Sequence, residues 1–492
     1  MKERKDLTNR LQNGKISRRD FIKLMLATGA SATAIGGVLA SCAPESAATV
    51  APAAATAVPV ATEAMAAKPL SVEGKLTMKL RAAFMPQGNE ILKVIVEDWG
   101  QKNGIPVEVD ITSMNDLQTI AATAAETGAG PDIIEINQGS AHLFAEKLAD
   151  VSDVCNDLGS RYGGYFSAAE EACKVNGAWL SVPRFFAPHA ISYRTDHFTT
   201  VGASVPTTWE ELYEVGKALV DAGLPPVAFP LGHAVGDGND FNYSVLWSHG
   251  ASDVAADGKT VTIDSPETRA ALEYMVKLFS VMPADTLSYD DGSNNRAFLG
   301  GAISATNNAS TIWGAARNQS TKVKVGEEEK NLHELTDHFV YPGGPAGRVT
   351  YAEFMSSAVF GYSKNQDAAK ALLTYLNERE QLTPWVNPNL GFVFPTLQDF
   401  KNDILMPWNT TPKLAPFKDY AETSHLPGFP STNFRAGTDA YAKWVVVDMF
   451  ASVCGGLASI DEAIATAKAQ LEESYGYSNS PRVDAAILSC PP

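Results

Sequence analysis

From residue 76 onward, the apolar positions alternate between a period of two, typical of strands, and a period near 3.6, typical of helices. The predicted elements are a strand at 76–82, a helix with Ile91, Val94, Ile95 and Trp99 on one face, a strand at 106–112, a helix at 117–126 and a strand at 132–136. This order predicts a parallel sheet with crossover helices. Since such sheets bind ligands at the carboxyl ends of their strands, we expect functional residues in the loops at 84–89 and 137–139.

Turn and cap signals divide the rest of the chain into further elements. Asn176-Gly177 is typical of a two-residue hairpin turn. Three helix starts combine an N-cap residue with a favourable residue in the first turn. They are Thr208 with Glu211, Ser459 with Glu462, and Ser265 before Pro266. Each predicts a helix that begins directly after its cap residue.

The length and composition are those of a globular protein with more than one core. A chain of 492 residues exceeds what one hydrophobic core usually supports, so two lobes are expected. The formal net charge is −17, and residues 1–41 hold eight basic and three acidic residues, a net of +5, which leaves −22 for the rest. Because an acidic surface of this size repels a phosphate backbone, we expect no nucleic-acid partner.

Near the N-terminus, three features follow one another in a fixed order. They are the pair Arg18-Arg19 before Phe21, a mild apolar run at 24–38, and Leu39-Ala40-Ser41-Cys42. The first resembles a twin-arginine export signal and the last a bacterial lipobox. The apolar run is too short and too weak for a stable transmembrane helix. A frayed basic helix followed by a chance cysteine is the alternative interpretation.

The lipobox resemblance implies that residues 1–41 are removed and that Cys42 carries lipid. The remaining chain would then work at the outer face of the cytoplasmic membrane. Residues 43–70 are almost all Ala, Pro, Thr and Val, a composition that cannot bury enough surface to fold. Because Pro extends such a segment, we expect 42–74 to be a disordered tether that holds the globular part away from the membrane.

Once Cys42 is assigned to the lipobox, four cysteines remain. Outside the cytoplasm, an even number favours disulfides over metal ligation. We expect a Cys155–Cys173 bond, whose partners flank a short helical segment, and a Cys454–Cys490 bond, which would fix the C-terminal tail. Free, buried thiols are the alternative for both pairs.

Three further blocks stand in a fixed order along the chain. They are Gly130-Pro131-Asp132-Ile133-Ile134 with Leu148-Ala149-Asp150-Val151, then 176–183 with 192–196 and Pro206-Thr207-Thr208-Trp209-Glu210-Glu211-Leu212, then 260–267 with 297–303. Together they resemble the family-1 extracellular solute-binding proteins of ABC importers, in particular the carbohydrate-binding, maltose-binding-like group. The resemblance spans roughly residues 76–475.

This resemblance implies an α/β, two-lobed fold of the periplasmic-binding-protein type II, each lobe a mainly parallel sheet flanked by helices, with a hinge between them. By analogy, lobe one holds 76–190 and 357–402, lobe two holds 191–356 and 403–475, and 476–492 is a tail. The implied function is capture of a mono- or oligosaccharide and its delivery to an ABC permease. The protein would be a monomer and not an enzyme, with no cofactor and no metal.

A sugar has apolar ring faces surrounded by hydroxyl groups, so its binder supplies aromatic rings and amide or carboxylate partners. Resemblance and topology together indicate a set of candidate ligand residues. They are Phe84, Gln87, Asn89, Asn137, Gln138, Arg184, Phe185, Asp240, Trp247, Asn307, Asn308, Trp313, Tyr351 and Glu353. Trp313 is the main stacking candidate, since the resemblance places a ligand-facing Trp there. The alternatives are core packing for Trp313 and Trp247, turn closure for the loop amides, and an ion pair that locks the lobes for Arg184 or Glu353.

Signals for catalysis or metal binding are sparse. Neither a Gly-x-Ser-x-Gly nor a His-Glu-x-x-His motif occurs. Asp237-Gly238-Asn239-Asp240 resembles part of a calcium loop, but the other ligands are missing, so we expect a solvated loop. Two rival functions stay open at this point. One is a membrane-tethered, secreted carbohydrate-active enzyme, and the other is the same fold binding a polyamine, a peptide or an anion.

Overall fold

The computed structural model describes residues 70–476. The strands are β1 Leu76–Arg81, β2 Val107–Thr112, β3 Ile133–Asn137, β4 Lys174–Val175, β5 Ala178–Trp179, β6 Val182–Phe186, β7 Ala190–Arg194, β8 Ala305–Asn308, β9 Lys322–Val325, β10 Glu328–Asn331, β11 Thr336–Phe339, β12 Thr350–Tyr351, β13 Phe354–Val359, β14 Phe394–Pro395 and β15 Ser424–His425. The α-helices are α1 Pro86–Asn103, α2 Met114–Thr127, α3 Ser140–Leu143, α4 Ser152–Arg161, α5 Ser167–Cys173, α6 Thr195–Thr200, α7 Trp209–Asp221, α8 Asp237–Ser248, α9 Pro266–Phe279, α10 Ser293–Leu299, α11 Thr311–Asn318, α12 Leu332–Leu335, α13 Gln366–Leu376, α14 Arg379–Val386, α15 Pro407–Thr410, α16 Tyr420–Thr423, α17 Phe434–Ala442, α18 Val445–Cys454 and α19 Ile460–Gly476.

The largest sheet has six strands in the order β14-β6-β13-β3-β1-β2. Strand β1 pairs in parallel with β2 and β3, as the sequence predicts, whereas β13 runs antiparallel between β3 and β6. A second sheet, β11-β7-β8, is antiparallel throughout. The α/β class is confirmed, but the sheets are mixed and not mainly parallel. The reason is that β13 and β14 return from distant parts of the chain, so no crossover helix fixes their direction.

In helix α1, the spacing of the apolar residues determines which face is buried. Its buried face contains Leu92, Ile95, Val96 and Trp99, whereas Val94 has 55% of its surface exposed. The sequence interpretation placed Val94 on the buried face, and this was wrong. A residue two positions after Leu92 is rotated by about 200° around the helix axis and therefore faces solvent.

The turn and cap predictions correspond to observed hydrogen bonds. The hydroxyl of Thr208 accepts from the N–H of Glu211 at 3.2 Å, and the Glu211 carboxylate accepts from the N–H of Thr208 at 3.1 Å. Ser459 and Glu462 form the same reciprocal pair at the start of α19. Asn176-Gly177 joins β4 to β5 with left-handed φ angles of 51° and 88°. Local sequence therefore determines these boundaries.

Apolar side chains form two large cores. The first lies around the six-stranded sheet, and the second lies around the three-stranded sheet and helices α8, α9 and α17–α19. Ala309, Trp313 and Leu414 belong to the first core, although the sequence assigns them to lobe two. Apolar packing is therefore continuous across the predicted boundary. The predicted lobe ranges, 76–190 with 357–402 and 191–356 with 403–475, stay a prediction.

The structure differs from the sequence prediction at the first cysteine pair. Cys155 and Cys173 are buried, free thiols, so the predicted bond between them is not present. The Sγ atom of Cys155 instead lies 3.7 Å from the carbonyl oxygen of Ser181. Cys454 is also a free thiol, and because Cys490 lies outside the described residues, the second predicted pair is untested.

Several N- and C-terminal predictions also fall outside residues 70–476. These are the export signal at Arg18 and Arg19, the removed segment 1–41, the lipidated Cys42, most of the 42–74 tether, and the tail beyond 476. Across the described range, no helix combines the length and the apolar character that crossing a bilayer requires.

Candidate functional site

The carboxyl ends of β1 and β3 lie beside the start of α8. Two connecting segments of the chain also meet here, residues 187–189 before β7 and residues 352–353 before β13, and we call them the first and the second crossing. Five ionisable side chains are largely buried at this meeting point, and we call them the charged cluster. They are Arg81, His189, Asp237, Asp240 and Glu353. They come from β1, from both crossings and from α8, so the cluster joins the six-stranded sheet to the second core.

Arg81 and Glu353 form the ion pair of the cluster that lies nearest to the six-stranded sheet. Nη1 of Arg81 donates to Oε1 of Glu353 at 2.6 Å. The guanidinium carbon lies 5.7 Å and 5.1 Å from the ring centroids of Phe185 and Phe392, so two aromatic rings border it. Burial alone would lower the pKa of Arg81, but Glu353 and neighbouring carboxylates raise it above its usual value. The guanidinium therefore keeps its charge within the charged cluster.

His189 is the central cation of the cluster. Its Nε2 lies 2.7 Å from Oδ1 of Asp237 and 3.5 Å from Oε2 of Glu353, and its Nδ1 lies 3.5 Å from Oδ2 of Asp240. Burial opposes protonation, but these three carboxylates outweigh it and raise the pKa of His189 to about 10. The imidazole is therefore a buried imidazolium at neutral pH. The second proton is donated by Nδ1 to the carbonyl oxygen of Ala187 at 3.0 Å.

Asp240 occupies the deepest position of the cluster. It accepts from the hydroxyl of Tyr341, and the hydroxyl of Tyr420 lies 3.1 Å from its Oδ2. Burial raises its pKa to about 7, while His189 and the two hydroxyl groups oppose that rise. The carboxylate is therefore close to its titration point near neutral pH. Tyr420 also accepts from the N–H of Glu353 at 2.9 Å, which fixes the second crossing.

Amide side chains surround Asp237, the first residue of α8. Nδ2 of Asn308 and Nδ2 of Asn294 donate to Oδ2 of Asp237 at 2.9 Å and 2.8 Å. Asn307 donates to the carbonyl oxygen of Asp237 at 2.8 Å. The predicted ligand residues Asn307 and Asn308 therefore lie beside the cluster, where they orient a carboxylate.

Asp237 to Asp240 is the buried first turn of α8, so the expectation of a solvated loop was wrong. The physical reason is that each carboxylate finds buried partners, chiefly His189, which a sequence motif does not reveal. On the outer side of this turn, the Asp291 carboxylate accepts from the N–H groups of Val235, Gly236 and Asp237 at 3.1, 2.9 and 3.1 Å. Anions are favourable at a helix N-terminus, so Asp291 stabilises the entry into α8.

The two predicted stacking tryptophans have different surroundings. Trp313 is 5% exposed, donates from Nε1 to the carbonyl oxygen of His333 at 3.0 Å and packs on the first core. Trp247 is 2% exposed and packs between Tyr243 and Phe429 in the second core, with ring centroids 5.0 Å and 5.6 Å away. This placement favours core packing for Trp247, the alternative that the sequence left open.

The predicted loop after β1 is divided between exposed and structural side chains. Phe84 has 39% of its surface exposed, and Gln87 is also exposed. Asn89 instead closes its own turn, since Oδ1 accepts from the N–H of Ala83 at 2.6 Å and Nδ2 donates to the carbonyl oxygen of Arg81 at 2.8 Å. Phe84 and Gln87 are thus available to a solute, whereas the Asn89 amide is already engaged.

The remaining predicted residues lie around the two crossings. Arg184 is fully buried, with its guanidinium carbon 5.0 Å from the ring centroid of Trp385, and burial lowers its pKa to about 10. Phe185 contacts the same tryptophan at 5.5 Å. Tyr351 is buried against Tyr243 at 5.7 Å, away from solvent. Of the residues at the crossings, Glu353 therefore enters the charged cluster, whereas Arg184 packs against an aromatic ring inside the first core.

The sequence did not single out an aromatic pair at the edge of this region. The rings of His233 and Trp444 are stacked, with centroids 4.5 Å apart and planes 5° apart, and Nε2 of His233 lies 2.7 Å from Oδ1 of Asp448. Trp444 has a left-handed φ of 61°, which costs a residue other than glycine about 1–3 kcal/mol. Tyr441, three residues earlier, bonds to the predicted ligand residue Asn137. A strained, half-buried Trp at this position is a further stacking candidate, and no turn motif marks it in the sequence.

A small cavity lies beneath the loop after β1. Its volume is about 20 Å³, and Arg81, Glu135, Phe185, Trp385 and Phe392 contribute to its walls. Pockets for small organic ligands usually have about 300–1,000 Å³, so a sugar does not fit here without movement of the surrounding elements.

Comparison with known proteins places this architecture in a recognised class. Residues 85–382 match the family of bacterial extracellular solute-binding proteins, and the chain belongs to this family. The maltose-bound MalE3 protein of T. maritima has 21% sequence identity and a TM-score of 0.69, with 81% of this chain and 99% of that chain covered.

Two further solved structures show the same likeness. An ABC transporter solute-binding protein of Thermotoga lettingae, bound with α-D-tagatose, has 17% identity and a TM-score of 0.69, covering 82% of this chain and all of that one (100%). A sugar transporter of Arthrobacter chlorophenolicus with bound laminaribiose has 17% identity and a TM-score of 0.67, covering 83% and 100%. The fold is thus the two-lobed type II arrangement that the sequence resemblance implied. Below, lobe one is the half built on the six-stranded sheet, and lobe two is the half built on the second core.

Proposed function

We propose that this protein captures a carbohydrate between its two lobes and delivers it to the permease of an ABC importer. Family membership supports solute binding outside the cytoplasm, and the three solved relatives described above are bound to maltose, tagatose and laminaribiose. The main support for the proposal is that residues of both lobes lie together in one set of polar and aromatic groups. Charged and amide groups form the floor, and the His233–Trp444 pair lies at the edge.

The proposed mechanism has no covalent step. The solute first meets one lobe, and the second lobe then closes over it by a hinge motion at the two crossings. A ligand shifts this equilibrium only by its preference for the closed form, so contacts are expected from both lobes. Hydroxyl groups would bond to amides and carboxylates of the floor, and an apolar sugar face would stack on an aromatic ring. The candidates for these contacts are Phe84, Gln87, Asn89, Asn137, Gln138, Arg184, Phe185, Asp240, Trp247, Asn307, Asn308, Trp313, Tyr351, Glu353 and Trp444.

The remaining parts of the proposal concern anchoring and assembly. Arg18 and Arg19 would direct export, lipid on Cys42 would hold the protein at the outer face of the cytoplasmic membrane, and residues 42–74 would act as a tether. The protein would work as a monomer that docks on the permease. Mass spectrometry of the mature protein tests the anchor, because it predicts an N-terminus at Cys42 that carries acyl chains. An unmodified N-terminus upstream of Cys42 would contradict it.

A thermal-shift screen tests the central proposal. The protein is heated with sugars, oligosaccharides, amino acids, polyamines and common anions, one at a time. A ligand at a hundred times its dissociation constant stabilises the fold by about 2.7 kcal/mol, which raises the melting temperature measurably. A shift with one class of sugar, and recovery of that sugar unchanged, supports the importer function. Consumption of the sugar would favour a carbohydrate-active enzyme, and shifts with polyamines or anions alone would overturn the choice of solute.

A further inference from the structure

The last residue of β3, Asn137, and the loop that follows it are in direct contact with α17, a helix of lobe two. Nδ2 of Asn137 donates to the hydroxyl oxygen of Tyr441 at 3.0 Å, and both side chains are buried. The Tyr441 hydroxyl donates to the carbonyl oxygen of Val235 at 3.4 Å, and the side chain of Gln118 on α2 lies beside it. One tyrosine of lobe two therefore joins two elements of lobe one to the loop that precedes α8.

Gly139 permits the close approach of the same loop to α17. A Cβ atom at this position would lie 2.5 Å from Oγ1 of Thr438 and 3.4 Å from the carbonyl oxygen of Phe434. Its φ is −80°, which any residue adopts, so the glycine is required by the contact between the lobes and not by its own backbone. The rings of His142 and Phe434, with centroids 5.5 Å apart, extend this contact.

We propose that Asn137, Gly139, Thr438 and Tyr441 form a latch that holds the lobes together through protein atoms alone. The donor, the acceptor and the packed surfaces all belong to the chain, so no solute is needed to bridge the lobes at this point. The closed form is therefore populated before solute arrives. Gly139 and Tyr441 are positioning residues, since they set the fraction of closed molecules and need not touch the solute.

The latch has a consequence for affinity. If solute is retained only by the closed form, the apparent dissociation constant equals the intrinsic constant divided by the closed fraction. A variant that lowers a small closed fraction tenfold raises the apparent constant tenfold. This consequence rests on the proposed function, whereas the latch itself is tested without any solute.

Gly139→Ala tests the latch without disturbing the folding of either lobe. The added methyl group meets Thr438 only when the lobes are closed, so the open form and its stability are unaffected. Thr438→Ala in the same chain removes the opposing Oγ1, which makes no hydrogen bond among the described residues. Closure should therefore be lost in the single variant and restored in the double variant. Gly159→Ala is the matched control, because its Cβ would meet the Tyr165 ring at 3.4 Å and Cα of Gly164 at 4.0 Å, both in the same lobe.

Distances between spin labels on the two lobes measure the closed fraction directly. Labels are attached to cysteines introduced at two exposed positions, Gln101 on α1 and Glu214 on α7, in the full-length protein with Cys42, Cys454 and Cys490 each replaced by Ser. Without solute, the wild-type chain should show a short and a long distance. Gly139→Ala should lower the ratio of molecules at the short distance to molecules at the long distance about tenfold, since overpacking of this kind destabilises the closed form. Tyr441→Phe should lower the same ratio. The double variant Gly139→Ala/Thr438→Ala should return to within about twofold of the wild type.

The outcomes are distinct. A single long distance in the unliganded wild type overturns the latch, and so does an unchanged distribution in Gly139→Ala. If Gly139→Ala weakens sugar binding but leaves the distribution unchanged, the loop contacts solute directly and the latch is wrong. If no sugar binds to any variant while the distributions shift as expected, the latch stands and the proposed function fails.

Discussion

Nε2 of His189 lies 2.7 Å from Oδ1 of Asp237, and this contact joins the first crossing of the chain to the first turn of α8. Both side chains are buried, so neither charge is solvated by bulk water. A buried charge requires a partner, and the pair therefore fixes the position of lobe two relative to the crossing. Asp237 also orders the buried amides of Asn294, Asn307 and Asn308, which donate to it.

Replacement of His189 should destabilise the protein strongly. His189→Gln leaves Asp237 and Asp240 without their buried cation, and removing one partner of such a pair costs about 3–5 kcal/mol. The expected result is a lower midpoint in urea unfolding followed by circular dichroism. His338→Gln is the matched control. His338 is also buried, but burial lowers its pKa to about 4, so its ring is neutral at pH 7. Equal loss in both variants would contradict a charged His189.

The same residue makes stability depend on pH above neutrality. The pKa of His189 is raised to about 10 in the folded state, whereas an unfolded histidine titrates near 6.5. Its contribution is thus complete below about pH 6.5 and is lost as pH rises toward 10. Between pH 7 and 8.5 the unfolding free energy should fall by about 1 kcal/mol per pH unit. Urea unfolding at several pH values measures the slope, which His189→Gln should reduce to the part contributed by Asp240 and His338→Gln should retain.

Parts of this architecture could be predicted from the sequence because they depend on local signals. The Thr208–Glu211 cap, the Asn176-Gly177 turn and the strand–helix alternation before residue 137 each depend on residues close together in the chain. The charged cluster could not be predicted, because it joins Arg81, His189 and Glu353 across the whole fold. Their pairing depends on the antiparallel return of β13 beside β3, and no periodicity reveals that return.

The predicted cap of α7 should contribute measurably to stability. Thr208→Ala removes the hydroxyl that accepts from the N–H of Glu211, and such a change costs about 1 kcal/mol. A lower midpoint in chemical unfolding, with an unchanged slope, is expected. Thr123→Ala on the exposed side of α2 is the control, and it should be neutral or slightly stabilising because Ala favours a helix interior. A Thr208→Ala variant as stable as the wild type would show that the cap hydrogen bond adds nothing.

The buried thiols should be unreactive in the folded protein. Burial raises the pKa of Cys173 to about 12 and the pKa of Cys155 well above its usual range, so little thiolate forms at pH 7. Iodoacetamide should modify both residues only after unfolding, and reducing agent should not be needed. Peptide mass spectrometry measures the extent of modification. Modification that requires both unfolding and reduction would instead establish the Cys155–Cys173 disulfide that the sequence predicted.

Trp444 and Trp247 should have separable roles in binding and in folding. Trp444→Ala removes the half-exposed ring beside His233, and loss of an aromatic stacking surface should weaken binding of the sugar found in the screen about tenfold. Its effect on stability should be smaller, because Trp444 is only half-buried and less apolar surface is lost from the interior. Trp247→Ala, in contrast, opens a cavity in the second core and should cost about 3–5 kcal/mol.

Isothermal titration and thermal unfolding of both variants distinguish these roles. Trp444→Tyr is the matched variant for binding, since it keeps an aromatic face and should recover most of the affinity. If Trp444→Ala binds as tightly as the wild type, the strained turn serves only to pack α17 against α18. The stacking surface would then have to be supplied by Phe84, which is 39% exposed, or by Trp313, which is 5% exposed.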